Sequence, residues 1–194
     1  MSIEGALTIT GFMEKPELNW LAQQAALHTQ IVEVGSFYGR STRVLADNTK
    51  GYVIAVDDWT GPRDATMSWK LRQEIYGKFC ENLKEHIESK RVIPWRINHD
   101  DLAVEKIPVA EGIVGQPVFD MVFIDGDHKY ESILRDIKFW LPLLKVGGLL
   151  CGHDYELKQP SVIQAVNETI GDPGMALGTN IWWYEKPQAL GESA

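Results

Sequence analysis

Apolar residues follow two rhythms along this chain. Short apolar runs occur at Gln30–Val34, Gly51–Val56, Val92–Ile97, Phe119–Ile124 and Leu149–Cys151. Each is too short for a typical helix and most are bounded by acids or glycines, a pattern that predicts buried parallel strands. Pro94 weakens the third of them, because proline cannot donate to a ladder. Between the runs apolar residues recur at helical spacing. Pro16–His28 carries Leu18, Leu21, Ala22 and Ala25 on one side, with the proline opening the helix. Ser41 and Thr42 can start a helix to about Asn48. Leu71, Ile75, Phe79, Leu83 and Ile87 recur every fourth residue, with Tyr76 and Cys80 beside them, and predict one long amphipathic helix. Tyr130–Leu144 and Pro160–Ile170 read as two more helices, the former ended by Lys145 and Gly147-Gly148. A short helix is expected near Leu102–Lys106. Gly174–Gly178 and Asn180–Tyr184 could form a closing strand pair around Thr179-Asn180. Residues 1–15 show no clear period, and 60–66, with Gly61, Pro62 and Asp64, read as a loop.

Strands alternating with helices mean a parallel sheet covered on both faces, an α/β three-layer sandwich of Rossmann-like type. The 194 residues suit one domain over 1–194. Within it, 1–28 is an N-terminal helical segment, 29–186 the core and 187–194 a tail. Ligands of such sheets bind beyond the carboxyl ends of the strands. Glu33, Asp57, Asp125 and Asp154 each close a strand, and this shared placement is the main argument for a site.

Composition narrows the picture modestly. Apolar residues are 44% and charged residues 24%, ordinary for a globular protein. The net charge of -8 disfavours a nucleic-acid substrate, since phosphate backbones are repelled in bulk. Cys80 and Cys151 lie in apolar settings and read as reduced core thiols, with no metal-type spacing of Cys and His. The longest apolar runs are far too short to cross a bilayer, and the early Glu4 argues against a signal peptide. A cytoplasmic location without membrane association is expected.

Four constellations can carry chemistry. In Glu33-Val-Gly35-Ser36-Phe37-Tyr-Gly39-Arg-Ser41 the glycines allow a tight turn and close approach of a ligand. A dinucleotide fingerprint wants Gly-x-Gly-x-x-Gly. Here the spacing is Gly-x-x-x-Gly with Phe37 inside, which leaves less room for a pyrophosphate. Asp57 can accept both hydroxyls of a ribose. Asp58 beside it disfavours a phosphate, and Trp59 either packs on a ligand ring or covers core. Asp125-Gly-Asp127-His128 crowds ionisable groups together, which is costly unless a cation or substrate proton relieves it. The plain alternative makes Asp127 a helix cap and His128 a surface residue. Finally, His153-Asp154 would lie beside Asp125 if the fourth and fifth strands are neighbours. Two carboxylates and an imidazole can hold a divalent cation or serve as an acid/base set.

The segment from Glu33 to Ser41 resembles the first motif of class I S-adenosylmethionine-dependent methyltransferases, in the variant of catechol and caffeoyl-coenzyme A O-methyltransferases. Phe123-Ile-Asp125-Gly-Asp127-His128-x-Tyr130, with Gly147-Gly148 and Gly152-His153-Asp154-Tyr155, resembles the group holding macrocin-type O-methyltransferases and cephalosporin-hydroxylase-like proteins. The resemblance covers roughly residues 30–185. It implies a seven-stranded, mostly parallel sheet with an antiparallel last strand. It implies that Glu33, Gly35, Ser36 and Gly39 line the methionine part of S-adenosylmethionine, with Phe37 and Ser41 from the same loop. Asp57 would take the ribose, with Asp58 and Trp59 nearby, and Asp100 or Asp101 would lie near the adenine. Asp125 and His128 would face the cofactor from the other side. Relatives bind Mg2+ through positions matching Asp125, His153 and Asp154. Here histidine replaces a carboxylate or amide at the second position, which suits softer divalent ions better. His153 could instead be a general base.

The resulting expectation is O-methyl transfer to a small molecule, the hydroxyl of a sugar, phenol or secondary metabolite, with Asp125, His153 and Asp154 handling the proton directly or through a metal. Two rivals stand beside it: an NAD-type oxidoreductase, and a binding protein that keeps the fold without activity. Trp59, Trp69, Tyr155, Trp182 and Trp183 can line a pocket, fill the core or form a homodimer face.

Overall fold

A computed structural model describes residues 1–61, 68–98, 101–108 and 118–188. In chain order the elements are α1 (Glu4–Leu7), α2 (Lys15–Ala25), β1 (Gln30–Val34), α3 (Arg40–Asn48), β2 (Tyr52–Asp57), α4 (Trp69–Asn82), α5 (Lys84–Glu88), β3 (Val92–Arg96), β4 (Phe119–Ile124), α6 (Tyr130–Trp140), β5 (Leu144–Gly152), α7 (Pro160–Ile170), β6 (Gly174–Met175) and β7 (Trp182–Glu185). The strands form one seven-stranded sheet in the order β3-β2-β1-β4-β5-β7-β6. The first five run parallel. β7 is antiparallel to β5, and β6 to β7. Chain direction across the sheet reverses between β1 and β4, and that switch point opens the crevice where ligands of such sheets bind.

The core has two halves, one on each face of the sheet. α2, α3 and α4 bury Leu18, Leu21, Val44, Leu45, Ile75 and Phe79 against one face. α6 and α7 bury Ile133, Ile137, Trp140, Val162 and Val166 against the other. β1, β2 and β4 are apolar on both sides, which is why their sequence shows runs rather than alternation.

Several boundaries differ from the sequence reading, each for a local reason. The long stripe from Leu71 to Ile87 is two helices, because the backbone leaves helical geometry at Leu83 (φ -108, ψ 12). Apolar periodicity continues through such a break, so it is invisible in the pattern. Gly147-Gly148 do not end α6, which stops at Trp140 before a 3-10 turn containing Pro142. They lie inside β5, where the register against β4 slips between Phe119 and Met121. The glycines therefore make a bulge in a longer strand. α3 begins at Arg40 with Gly39 (φ 89) as N-cap, so Ser41 and Thr42 fall inside its first turn and are buried. The expected helix near Leu102–Lys106 is a 3-10 turn over Val104–Lys106. The closing strands are shorter than expected. Pro94 is tolerated because β3 is an edge strand paired only with β2.

Candidate active site

Two loops meet at the carboxyl edge of the sheet, one after β1 and one after β4. Their backbones touch. A Cβ on Gly35 (φ 88) would lie 2.2 Å from the Asp125 carbonyl oxygen, so only glycine fits there. Gly39 is similarly confined, since its Cβ would lie 2.3 Å from Leu83 Cδ2.

The loop after β1 is held from β2. Asp57 Oδ2 accepts hydrogen bonds from the amides of Ser36 and Phe37, both at 2.8 Å, and Oδ1 accepts from the Trp59 amide at 2.6 Å. Burial pushes the Asp57 carboxyl up, and these amides offset part of that push while the Asp58 charge adds to it. The Trp59 indole, fully buried between Tyr76 and Phe79, donates Nε1–H to the Phe37 carbonyl at 3.0 Å. Phe37 (φ 48) and Trp59 (φ 50) are both left-handed, a conformation that bulky residues adopt only when their surroundings hold them. With its amides taken by a carboxylate, this turn offers little to a pyrophosphate. About one of the roughly four acceptor positions of Asp57 stays open for a hydroxyl.

Glu33 lies beneath the loop, fully buried, where Thr42 donates its hydroxyl to Oε2. Burial pushes the Glu33 carboxyl up to about 7, against the pull of Ser41, Thr42 and Ser36 hydroxyls. Among the described residues, Glu33 Oε1 and Ser36 Oγ are buried without a well-formed hydrogen bond, the Ser36 hydroxyl acting on Glu33 only from nearby, so both have capacity left for a ligand lying on the loop. An aminoacyl group without phosphates fits this lining: hydroxyl, carboxyl and a glycine turn, with no free amide nest. Asp58 turns outward, its Oδ1 accepting from the amide and hydroxyl of Thr60. Asp101 is exposed, its amide bonded to the Asn98 carbonyl, and Asp100 lies outside the described residues.

The loops after β4 and β5 gather the ionisable groups. His128 Nε2 lies 2.8 Å from Asp154 Oδ2. His153 Nδ1 lies 3.2 Å from the same oxygen and 3.6 Å from Asp125 Oδ1. The other ring nitrogen of His153 lies 2.7 Å from Oε1 of Glu17. Burial opposes the His153 charge, but Asp154, Glu17 and Asp125 outweigh it and push the imidazole up to about 11. Burial likewise opposes the charges of Glu17 and Asp154. Their histidine partners overcome it and hold both carboxyls below the ordinary range. Asp125 is the exception. Burial pushes it up to about 7, with the His153 charge pulling down and the Asp154 and Glu33 charges pushing further up. Asp154 itself is left-handed (φ 60). Asp127 lies apart from this group, accepting the Ser132 hydroxyl at 3.0 Å in the first turn of α6.

Glu17 was not among the residues singled out from the sequence. It closes a capping box with Glu14 at the start of α2, and that signal reads only as a helix beginning. Nothing local shows that the side chain also reaches β5. The segment just before α2 lies near the first loop too. Arg40 donates Nη1–H to the carbonyls of Ile9 and Gly11, and the exposed ring of Phe12 lies 5.8 Å from that of Phe37.

Residues 32–155, more than half of the chain, match the family model described as a methyltransferase domain. The chain belongs to the methyltransferase domain family. An uncharacterized protein of Acanthamoeba polyphaga mimivirus is 25% identical over 146 residues, 73% of this chain. The chain spans 59% of the length of that relative. Among solved structures, a calicheamicin methyltransferase superposes with a TM-score of 0.65 at 15% identity, covering 90% of this chain and 77% of its own. An O-methyltransferase from Bacillus cereus, in complex with SAH, superposes with 0.63 at 17% identity, covering 95% and 90%. These likenesses establish the class I methyltransferase fold. No helix of this chain, among the described residues, is long and apolar enough to cross a membrane.

Proposed function

We propose that this methyltransferase transfers the methyl group of S-adenosylmethionine to a hydroxyl oxygen of a small molecule, of sugar, phenol or secondary-metabolite type. The observation that carries the proposal is the backbone contact of Gly35 with Asp125, which sets the cofactor loop directly beside the Asp125, His153 and Asp154 group. Bound S-adenosylmethionine supplies an electrophilic methyl. The protein must then align an oxygen in line with it and remove the oxygen's proton. Glu33, Ser36 and the turn at Gly35 hold the amino-acid end of the cofactor. Asp57 fixes the turn and has acceptor capacity left for a ribose hydroxyl. Asp125 and Asp154 receive the acceptor hydroxyl and its proton, directly or with a divalent cation between them, with the charged His153 beside them. Glu17 keeps the His153 ring in place.

The net charge of -8 and the acidic lining of the site favour a small acceptor over nucleic acid. Among the neighbours, a TDP-rhamnose 3'-O-methyltransferase of calicheamicin biosynthesis offers a precedent for a sugar hydroxyl as acceptor. Isothermal titration with S-adenosylhomocysteine is the first test. Saturable one-to-one binding is expected, and no heat at millimolar ligand would remove the proposal. With an acceptor found by screening hydroxyl compounds, Asp154→Ala is expected to lower kcat by about 100-fold or more. Unchanged turnover would take Asp154 out of the reaction.

A further inference from the structure

The cluster at the ends of β4 and β5 contains a group of ligand atoms that the histidine at position 153 obscures in the sequence. Asp125, His128 and Asp154 each offer one atom, and these lie within 4.8 Å of one another. They line a cleft with a free volume of about 10 Å³, room for about one water-sized occupant, together with Ile124 and Trp182. Within the described residues, Asp125 receives no side-chain hydrogen bond, and its nearest cationic atom is His153 Nδ1 at 3.6 Å. A half-buried carboxylate without donors is best served by a positive partner. His153 is a poor ligand here, because Glu17 holds one nitrogen at 2.7 Å and the other faces Asp154 and Asp125 as a paired cation. His128 is differently placed. Its side chain is 44% exposed and, among the described residues, its ion-pair partner is Asp154 at 2.8 Å, itself one of the three ligands, so a dication between them would replace the proton they share.

We propose that Asp125, His128 and Asp154 form a binding site for a first-row transition-metal dication, with His153, braced by Glu17, beside the ion and not bonded to it. One imidazole nitrogen with two carboxylates selects Mn2+, Fe2+, Co2+ or Zn2+ over Mg2+, which prefers oxygen ligands only. His128 comes from the loop after β4, and His153 from the strand end. The site thus takes its nitrogen from a different loop than the strand-end pair used in the resembling enzymes. Use of the ion in methyl transfer rests on the proposed function, but the site itself rests on these side chains.

The test uses the full chain stripped with chelator. Mn2+ is titrated in and the free ion followed by paramagnetic resonance, with Mg2+ as competitor. One Mn2+ per chain is expected, bound at least about tenfold more tightly than Mg2+. His128→Ala is expected to weaken Mn2+ by at least about tenfold, and His153→Asn by less than about threefold, with circular dichroism confirming that both fold. Co2+ should give visible bands whose nitrogen ligation disappears in His128→Ala. No Mn2+ binding at millimolar concentration, equal affinity for Mg2+, or a larger loss from His153→Asn than from His128→Ala would each overturn the assignment. S-adenosylhomocysteine titrated into the same stripped protein separates the two proposals. Binding of it without Mn2+ removes only the metal site, whereas Mn2+ binding without it leaves the site standing and removes the methyltransferase proposal.

Discussion

Glu33 shows at the scale of one residue how a site can be kept at a cost. Its carboxyl is fully buried, one oxygen unpartnered, with the group pushed from an ordinary 4.5 up to about 7. Between those pH values the folded chain keeps a proton that the unfolded chain has released. Stability therefore falls as pH rises through that window, by about 3 kcal/mol at roughly 1.4 kcal/mol per unit. Glu33→Gln removes this ionisation. Urea unfolding at pH 5 and pH 8 should show the drop in the native chain and a drop about 3 kcal/mol smaller in the variant. Equal drops would mean that the carboxyl is not charged at the cost of folding. Glu33, Asp57, Asp125 and Asp154 were all legible in the sequence, because each is an acid closing an apolar run. Their hydrogen-bond duties were not. That Asp57 clamps three amides depends on the left-handed turns at Phe37 and Trp59, and backbone twist leaves no mark in a residue pattern.

At the scale of elements, strand and helix types followed from periodicity, and ends did not. Buried β1, β2 and β4 announce themselves as runs because both faces are covered. The break between α4 and α5 and the bulge in β5 stayed hidden, since apolar spacing survives the first and glycines signal a helix end as readily as a bulge. A tightly constrained joint at the site is that of the loops after β1 and β4 at Gly35. Gly35→Ala forces a Cβ against the Asp125 backbone in a left-handed turn. It is expected to cost more than about 2 kcal/mol in denaturant unfolding and to weaken S-adenosylhomocysteine at least tenfold. An alanine variant with native stability and affinity would show that the two loops do not touch as described.

At the scale of the molecule, the two halves of the core are separate across the sheet, and the Glu17–His153 pair joins the N-terminal helix to the far strand end. Breaking a buried pair by removing one charge costs about 3 kcal/mol. Glu17→Gln should lose about that much at pH 6. The Glu17 carboxyl is held below its ordinary 4.5, so its contribution is present above that value and disappears as pH falls through its lowered value. The His153 imidazole, up at about 11, stays charged across this acidic range. Native and Glu17→Gln chains should therefore converge in stability as pH falls below the ordinary carboxylate range. A gap that persists undiminished there would assign the loss to packing.

The same pair joins residues 136 positions apart. During synthesis or refolding, α2 is available long before its anchor on β5 exists. Its apolar face can settle early on α3, but the tie through Glu17 waits for the last parallel strand. Contacts of such long range close slowly, and the segment that awaits them is open to exchange and to proteolysis in the meantime. Pulsed hydrogen exchange during refolding should find α2 amides protected later than those of β1 and β2. Earlier protection of α2 would show that its place is set by α3 alone. The tie that steadies His153 in the finished protein would then form only as the candidate site is completed, so that an incomplete chain would not present an ordered one.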